Sequence, residues 1–240
     1  MPSNAMTHII DHPSPNFGDR PHGSPIDILV LHYTGMQSGQ IALDRLCDPA
    51  SSVSCHYLIE EDGRIFRLVD EDKRAWHAGR GEWQKCVDVN SRSIGIEIVN
   101  PGHEHGYRAF PEDQITSVIA LCRDILGRHT IQASRIIAHS DMAPDRKEDP
   151  GELFPWDKLA EHGIGLWPRI RPQMSSEMSP NAITSPDSLD PLLDQIGYGD
   201  GDGLKRRIAF QRHWRPSDIS GKVDDECVAI AKALVKAAAI

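Results

Sequence analysis

The stretch Ile28-Leu29-Val30-Leu31-His32-Tyr33-Thr34-Gly35 decides how the rest of the chain is read. Its apolar run is short, branched and uninterrupted, the pattern of a central strand covered on both faces. His32 then stands at the carboxyl end of that strand, where a turn begins at Tyr33-Thr34-Gly35. In an open α/β sheet this is the end at which ligands bind.

A second apolar run, Ser134 to Ala138, reads as another buried strand. It delivers His139-Ser140-Asp141-Met142-Ala143-Pro144-Asp145-Arg146-Lys147-Glu148-Asp149-Pro150-Gly151, a loop carrying an imidazole, carboxylates and two adjacent cations. An imidazole and a carboxylate on such a loop supply two ligands of a zinc site, and an open catalytic site requires a third from elsewhere. His32 is the candidate.

A base for that site is sought in Ser93-Ile94-Gly95-Ile96-Glu97-Ile98-Val99. Alternation puts the three isoleucines on one face and Glu97 on the other, beside a glycine that leaves space above it. A carboxylate in a β-branched strand is unfavourable unless it has a partner or a task. Glu97 is therefore read as functional, with an exposed edge position as the alternative.

The surrounding chain predicts an α/β domain over residues 26–168. Gln40 to Cys47 reads as a short helix. Val53 to Ile59 and Arg64 to Val69 flank Asp62-Gly63, a hairpin signal. Asp70 to Asn90 is a long connection without apolar period, holding Trp76-His77-Ala78-Gly79 and Trp83. Pro111 to His129 has the cleanest helical spacing, and Trp156 to His162 is a short closing helix. Residues 1–25 show no periodicity and read as an irregular arm. The Pro- and Ser-rich segment 169–188 reads as a linker, followed by three short helices over 189–240, Leu189 to Tyr198, Leu204 to Trp214 and Val223 to Val235, as a small separate domain. Between the first two, Gly199-Asp-Gly-Asp-Gly203 lacks the alternating ligands and closing Glu of a calcium loop and reads as a turn.

A net charge of -9 over 240 residues argues against a nucleic-acid partner and gives no polybasic membrane patch. A small neutral or cationic substrate fits better. Cys47, Cys55, Cys86, Cys122 and Cys227 form no CxxC pair and read as thiols in a reducing compartment. No run approaches the roughly 18 apolar residues of a membrane span, so no membrane insertion is expected. With no secretory core in the first thirty residues the chain reads as cytoplasmic, or as periplasmic if a leader precedes it; Ser3-Asn4-Ala5-Met6 has the look of a cloning scar.

Leu31-His32-Tyr33-Thr34, Val53-Ser54-Cys55-His56-Tyr57-Leu58-Ile59, Asp62-Gly63, Ala75-Trp76-His77-Ala78-Gly79, Ser93 to Glu97, and His139-Ser140-Asp141 through Asp149-Pro150-Gly151 together resemble the zinc-dependent N-acetylmuramoyl-L-alanine amidases of the type 2 amidase family. The resemblance covers roughly residues 26 to 165. It implies a mixed sheet flanked by helices, with Zn2+ held by His32, His139 and Asp149, Glu97 activating water, and Lys147 stabilising the oxyanion. The phage-lysozyme and recognition-protein branch carries a Tyr where this chain aligns Cys55, and lacks the Glu aligned with Glu97. The chain therefore resembles the recycling-amidase branch, and Cys55 reads as a packed thiol. The tail, Ala209-Phe210-Gln211-Arg212 through Ile219-Ser220-Gly221, is similar to the type 1 peptidoglycan-binding module.

An amide bond is inert in water, and zinc would acidify a water molecule while polarising the carbonyl. Glu97 is suited to take that proton and return it to the leaving amine, and Lys147 to face the developing alkoxide. Trp76, His77, Arg146 and Tyr57 are candidate substrate contacts. Arg146 suits a stem-peptide carboxylate, with a solvated loop cation as the alternative, and for His77 a structural hydrogen bond is the alternative. His56, within a strand, reads as a satisfied core histidine. The expected reaction is hydrolysis of the bond between N-acetylmuramic acid, in its 1,6-anhydro form, and L-alanine in peptidoglycan recycling or turnover, with muropeptide or peptidoglycan as substrate. The competing reading is a muropeptide-recognition protein that does not cut.

Overall fold

A computed structural model describes residues 8–168 and 185–238. Most of the linker expected over 169–188, residues 169–184, and the first seven residues of the expected arm lie outside the described residues. The chain divides into two units, residues 1–79 with 90–131, and residues 80–89 with 132–240.

The strands are β1 (Ile9–Asp11), β2 (Phe17–Asp19), β3 (Ile28–Tyr33), β4 (Tyr57–Ile59), β5 (Ile65–Arg67), β6 (Lys73–Ala75), β7 (Ser93–Ile98) and β8 (Ile136–Ala138). Six form one sheet in the order β1-β5-β4-β7-β3-β8, and β2 pairs with β6. The sheet is mixed, as expected: β3 and β4 flank β7 in parallel, β5 runs antiparallel to β4, and β1 joins β5 in parallel. Ile28 to Leu31 and Ile94, Ile96 and Ile98 are wholly buried, which is why β3 reads as a branched apolar run and β7 as an alternation of isoleucines. At the hairpin, Gly63 accepts φ +85°, the left-handed turn that the Asp-Gly pair signals.

In the first unit, the helices are α1 (Gly39–Cys47), α2 (Val89–Arg92), α3 (Gly102–His105) and α4 (Glu112–Arg128). The Ser38 hydroxyl caps α1 by accepting from the Ile41 amide at 3.3 Å, and the helix buries Ala42, Leu43 and Leu46 against Cys55, Leu58 and Phe66. Helix α4 buries Ile115, Val118, Ile119, Cys122 and Ile125, the stripe its spacing predicts. Its buried Gln114 donates to the carbonyls of Ile59 and Val99 at 3.1 and 2.9 Å. One side chain thereby satisfies backbone acceptors at the ends of two neighbouring strands.

The stretch expected as an irregular arm is ordered by backbone partners instead. It supplies β1 and β2, and Asn16 donates to the carbonyls of Asp48 and Val53 at 2.8 and 2.9 Å. Arg20 donates to those of Ser91 and Ser93 at 2.9 and 2.8 Å. Strands of three residues among polar side chains leave no periodicity in a sequence, so this order is invisible there. The connection from Asp70 to Asn90 likewise contains β6.

In the second unit, β8 leads into α5 (His139–Met142), and α6 (Trp156–Glu161), α7 (Asp190–Ile196), α8 (Gly203–Trp214) and α9 (Asp225–Ala238) follow. The last three match the expected C-terminal helices. The Gly-Asp stretch ends in a helix cap: the Asp202 carboxylate accepts from the Lys205 amide at 3.0 Å. Helix α8 is joined to the segment before the linker, since the Trp214 indole donates to the Leu166 carbonyl at 3.1 Å and Arg212 pairs with Glu152 at 3.2 Å.

Candidate metal centre and active site

His32 and Glu97 are register partners on β3 and β7, so their side chains leave the same face of the sheet. That face also carries Ser93 and Gly95, four and two residues before Glu97. The space above Gly95 is filled by the His77 imidazole: a Cβ at position 95 would come within 2.4 Å of the ring. The glycine was expected to open space for Glu97, and it accommodates His77 instead.

His77 is held on three sides. Its amide and that of Ala78 donate to the Asn90 side-chain oxygen at 3.1 and 2.8 Å. Its Nε2 lies 3.1 Å from the Ser93 hydroxyl and its Nδ1 lies 3.0 Å from Nε2 of His32. Two polarities satisfy this chain. In one of them Nε2–H of His32 donates to His77, and Nε2–H of His77 donates to Ser93. That polarity places the lone pair of His32 on Nδ1, as a metal ligand requires.

On the loop after β8, Nδ1 of His139 and a carboxylate oxygen of Asp149 are 2.9 Å apart, both residues buried. The Ser140 amide donates to the Asp149 carbonyl at 3.0 Å, and the Lys147 amide to the Ala143 carbonyl at 3.1 Å. These bonds bring the ends of the segment together around a turn that carries Arg146 and Lys147. His32, His139 and Asp149 each present one ligand atom, all within 4.8 Å of one another. Two imidazoles and one carboxylate, buried and convergent, are a donor set suited to a borderline-soft divalent cation with a coordination position left for substrate or water. The three residues expected as ligands thus come together.

The remaining candidates are placed as follows. Arg146 donates from Nε to the Arg80 carbonyl at 2.8 Å, and its Nη2 lies 3.5 Å from Nε2 of His139; burial lowers its pKa. It stands beside a proposed ligand. Tyr57 does not present its hydroxyl for substrate: it is buried and donates to Glu71 at 2.8 Å. Trp76 is anchored by its backbone. Its backbone exchanges hydrogen bonds with Ser54, and its indole nitrogen faces Gly18 of β2.

His56 is the satisfied core histidine expected. Its Nδ1 accepts from the Gly95 amide at 3.0 Å, so the proton sits on Nε2 and is donated to the Lys73 carbonyl at 3.1 Å. Burial, with the Arg20 charge beside it, lowers its pKa to about 3. Cys55 is a wholly buried thiol whose pKa is raised by burial and by the charge of Glu97. It is a packed group, as read.

Two residues around the loop, Tyr198 and His213, were not singled out in the sequence, and Asp141 entered only within the His139-Ser140-Asp141 motif. Wholly buried Asp141 accepts from the Tyr198 hydroxyl and from Nδ1 of His213, each at 2.6 Å. Separations of 57 and 72 residues leave no local signal for such a cluster.

The family model for N-acetylmuramoyl-L-alanine amidase (Amidase_2) matches residues 22–152. The N-acetylmuramoyl-L-alanine amidase AmiD of Escherichia coli K12 is 38% identical over 232 residues, 88% of this chain and 83% of AmiD. The solved complex of E. coli AmiD with the substrate anhydro-N-acetylmuramic acid-L-Ala-D-gamma-Glu-L-Lys is similar with a TM-score of 0.81 at 33% identity, covering 92% of this chain and 97% of that one. AMPDH3 of Pseudomonas aeruginosa, in complex with anhydromuramic pentapeptide, gives a TM-score of 0.80 at 32% identity over 90% of this chain and 93% of that one.

Proposed function

The chain belongs to the N-acetylmuramoyl-L-alanine amidase family, and from that premise we propose that it hydrolyses the amide between 1,6-anhydro-N-acetylmuramic acid and L-alanine, using zinc held by His32, His139 and Asp149. The convergence of those three side chains carries the reading, and the substrate class is supported by the anhydromuramyl ligands in the two related complexes. Zinc supplies Lewis acidity, drawing electron density from the scissile carbonyl and acidifying water.

The chain's own groups do the rest. Glu97, on the face that carries His32, takes the proton of the attacking water and delivers it to the amine of the departing L-alanine. Lys147, two residues before Asp149, offers its ammonium to the carbonyl oxygen as charge develops there. Arg146, beside His139, offers a carboxylate of the stem peptide a bidentate partner. His77 holds Nε2 of His32 and so fixes the orientation of that ring.

The three C-terminal helices, similar in sequence to the type 1 peptidoglycan-binding module, are read as an added contact to glycan or peptide. The five cysteines are thiols rather than disulfides, which supports a reducing compartment, the cytoplasm, and hence a role in recycling. Mass spectrometry of digests of anhydromuropeptides and of intact sacculi tests the assignment. Release of stem peptide from the soluble anhydro fragments at the higher kcat/KM is expected; a preference for sacculi would move the enzyme to wall turnover.

A further inference from the structure

Within the second unit, α8 and the residues just before it touch the loop that carries His139, Arg146, Lys147 and Asp149 at four successive points. At the first, Asp141 takes three hydrogen bonds: from the Ala138 amide at 2.8 Å, from the Tyr198 hydroxyl at 2.6 Å and from Nδ1 of His213 at 2.6 Å. At the second, the Lys205 ammonium donates to the Asp145 carbonyl at 3.0 Å. At the third and fourth, Arg212 reaches Glu148 at 3.4 Å and Glu152 at 3.2 Å. These points bracket Arg146, Lys147 and Asp149, and the first lies two residues after His139.

The joint at Asp141 is the strongest of the four. A wholly buried carboxylate is costly unless its oxygens are satisfied, and all three donors here are short and dry. The His213 ring is stacked between the indoles of Trp156, at 3.8 Å, and Trp214, at 3.7 Å. Its orientation is therefore set by packing before it meets Asp141. Burial and the neighbouring Asp141 charge keep the Tyr198 hydroxyl protonated, and hence a donor. Apart from the one bond that closes its ends, from the Ser140 amide to the Asp149 carbonyl, the loop's own backbone bonds are local turns, and its helix α5 spans only four residues. An element that short cannot hold a metal ligand in place without outside support.

We propose that the C-terminal helices are the scaffold of the ligand-bearing loop, with Asp141 as the joint and Tyr198 and His213 as positioning residues for His139 and Asp149. This rests on the metal reading above and deepens it. The segment after residue 189 is then part of the catalytic domain's machinery, whatever else it binds.

The test uses the full chain and the variants Tyr198→Phe, His213→Ala and His213→Asn; the asparagine amide replaces Nδ1–H as donor to Asp141. Three quantities are measured: hydrogen exchange of amides 139–149, the visible spectrum of the cobalt(II)-loaded protein, and the rate of zinc loss to a chelator. Tyr198→Phe and His213→Ala should speed exchange in the loop and zinc loss by tenfold or more and shift the cobalt bands, and His213→Asn should restore all three towards wild type. Wild-type exchange, spectrum and zinc retention in Tyr198→Phe and His213→Ala would overturn the proposal, even with a lowered melting temperature. Faster loop exchange in a protein whose wild type takes up neither cobalt nor zinc would overturn the metal reading while leaving the scaffold in place.

Discussion

Nδ1 of His77 lies 3.0 Å from Nε2 of His32, and the His77 ring occupies the space that Gly95 leaves on the neighbouring strand. A side chain at position 95 cannot coexist with that ring. Gly95→Ala should therefore displace His77, release His32 from its partner and weaken metal binding by about tenfold to a hundredfold, the range for loss of such a partner. Overpacking should also cost about 1–3 kcal/mol of stability. Zinc affinity by competition with a chelating dye, together with urea unfolding, checks both; unchanged zinc affinity would show that the His77 contact does not orient His32.

Lys147→Ala tests the oxyanion assignment. Loss of an electrostatic donor that acts on the transition state lowers kcat by about 10²–10³ and leaves KM largely unchanged. A rise in KM alone, measured on anhydromuropeptide, would make Lys147 a substrate-binding residue instead.

Glu71 links acid stability to the fold. Burial works against its charge, but hydrogen bonds from Arg128, His129 and Tyr57 overcome that and hold the carboxyl at about 2, against 4.5 ordinarily. A depressed carboxylate stabilises the fold above its unfolded value and loses that contribution as pH falls towards its folded one. The window is thus pH 4.5 down to about 2, and the contribution is on the order of 2 kcal/mol after solvent screening. Glu71→Gln should be less stable than wild type at pH 7, with the difference closing across that window in denaturant titrations.

His56 acts over a higher range. Its folded value of about 3 lies below the ordinary 6.5, so the unfolded chain binds the proton first. Stability is intact above pH 6.5 and declines as pH falls from there towards 3. His56→Asn should flatten the upper part of that decline, between pH 6.5 and 4.5, where Glu71 is still ionised. An unchanged slope would show that His56 is not the titrating group.

The sequence showed the parts of this molecule that repeat or alternate. The branched run at Ile28–Leu31 marked a central strand because both of its faces are buried, the alternation over Ser93–Val99 marked β7, and the stripe from Ile115 to Ile125 marked α4 because a helix repeats every three to four residues. The metal ligands were legible because His32 and His139 each end or directly follow an apolar strand. What was not legible depends on distance or on backbone acceptors. Asn16 and Arg20 order the N-terminal stretch through carbonyls, which any sequence supplies. Asp141 meets Tyr198 and His213 across most of the second unit's length. Tyr57 was assigned to substrate by motif, and only its pairing with Glu71 showed where its hydroxyl points.

The most direct test of the central claim compares zinc-loaded wild type with Glu97→Gln by mass spectrometry of anhydromuropeptide digests, with zinc content measured in both. The account predicts free stem peptide from wild type, a rate about 10²–10⁴-fold lower in the variant, and equal zinc in the two. Stem-peptide release by Glu97→Gln at the wild-type rate would contradict Glu97 as the base, and no release from zinc-loaded wild type would contradict the amidase assignment itself.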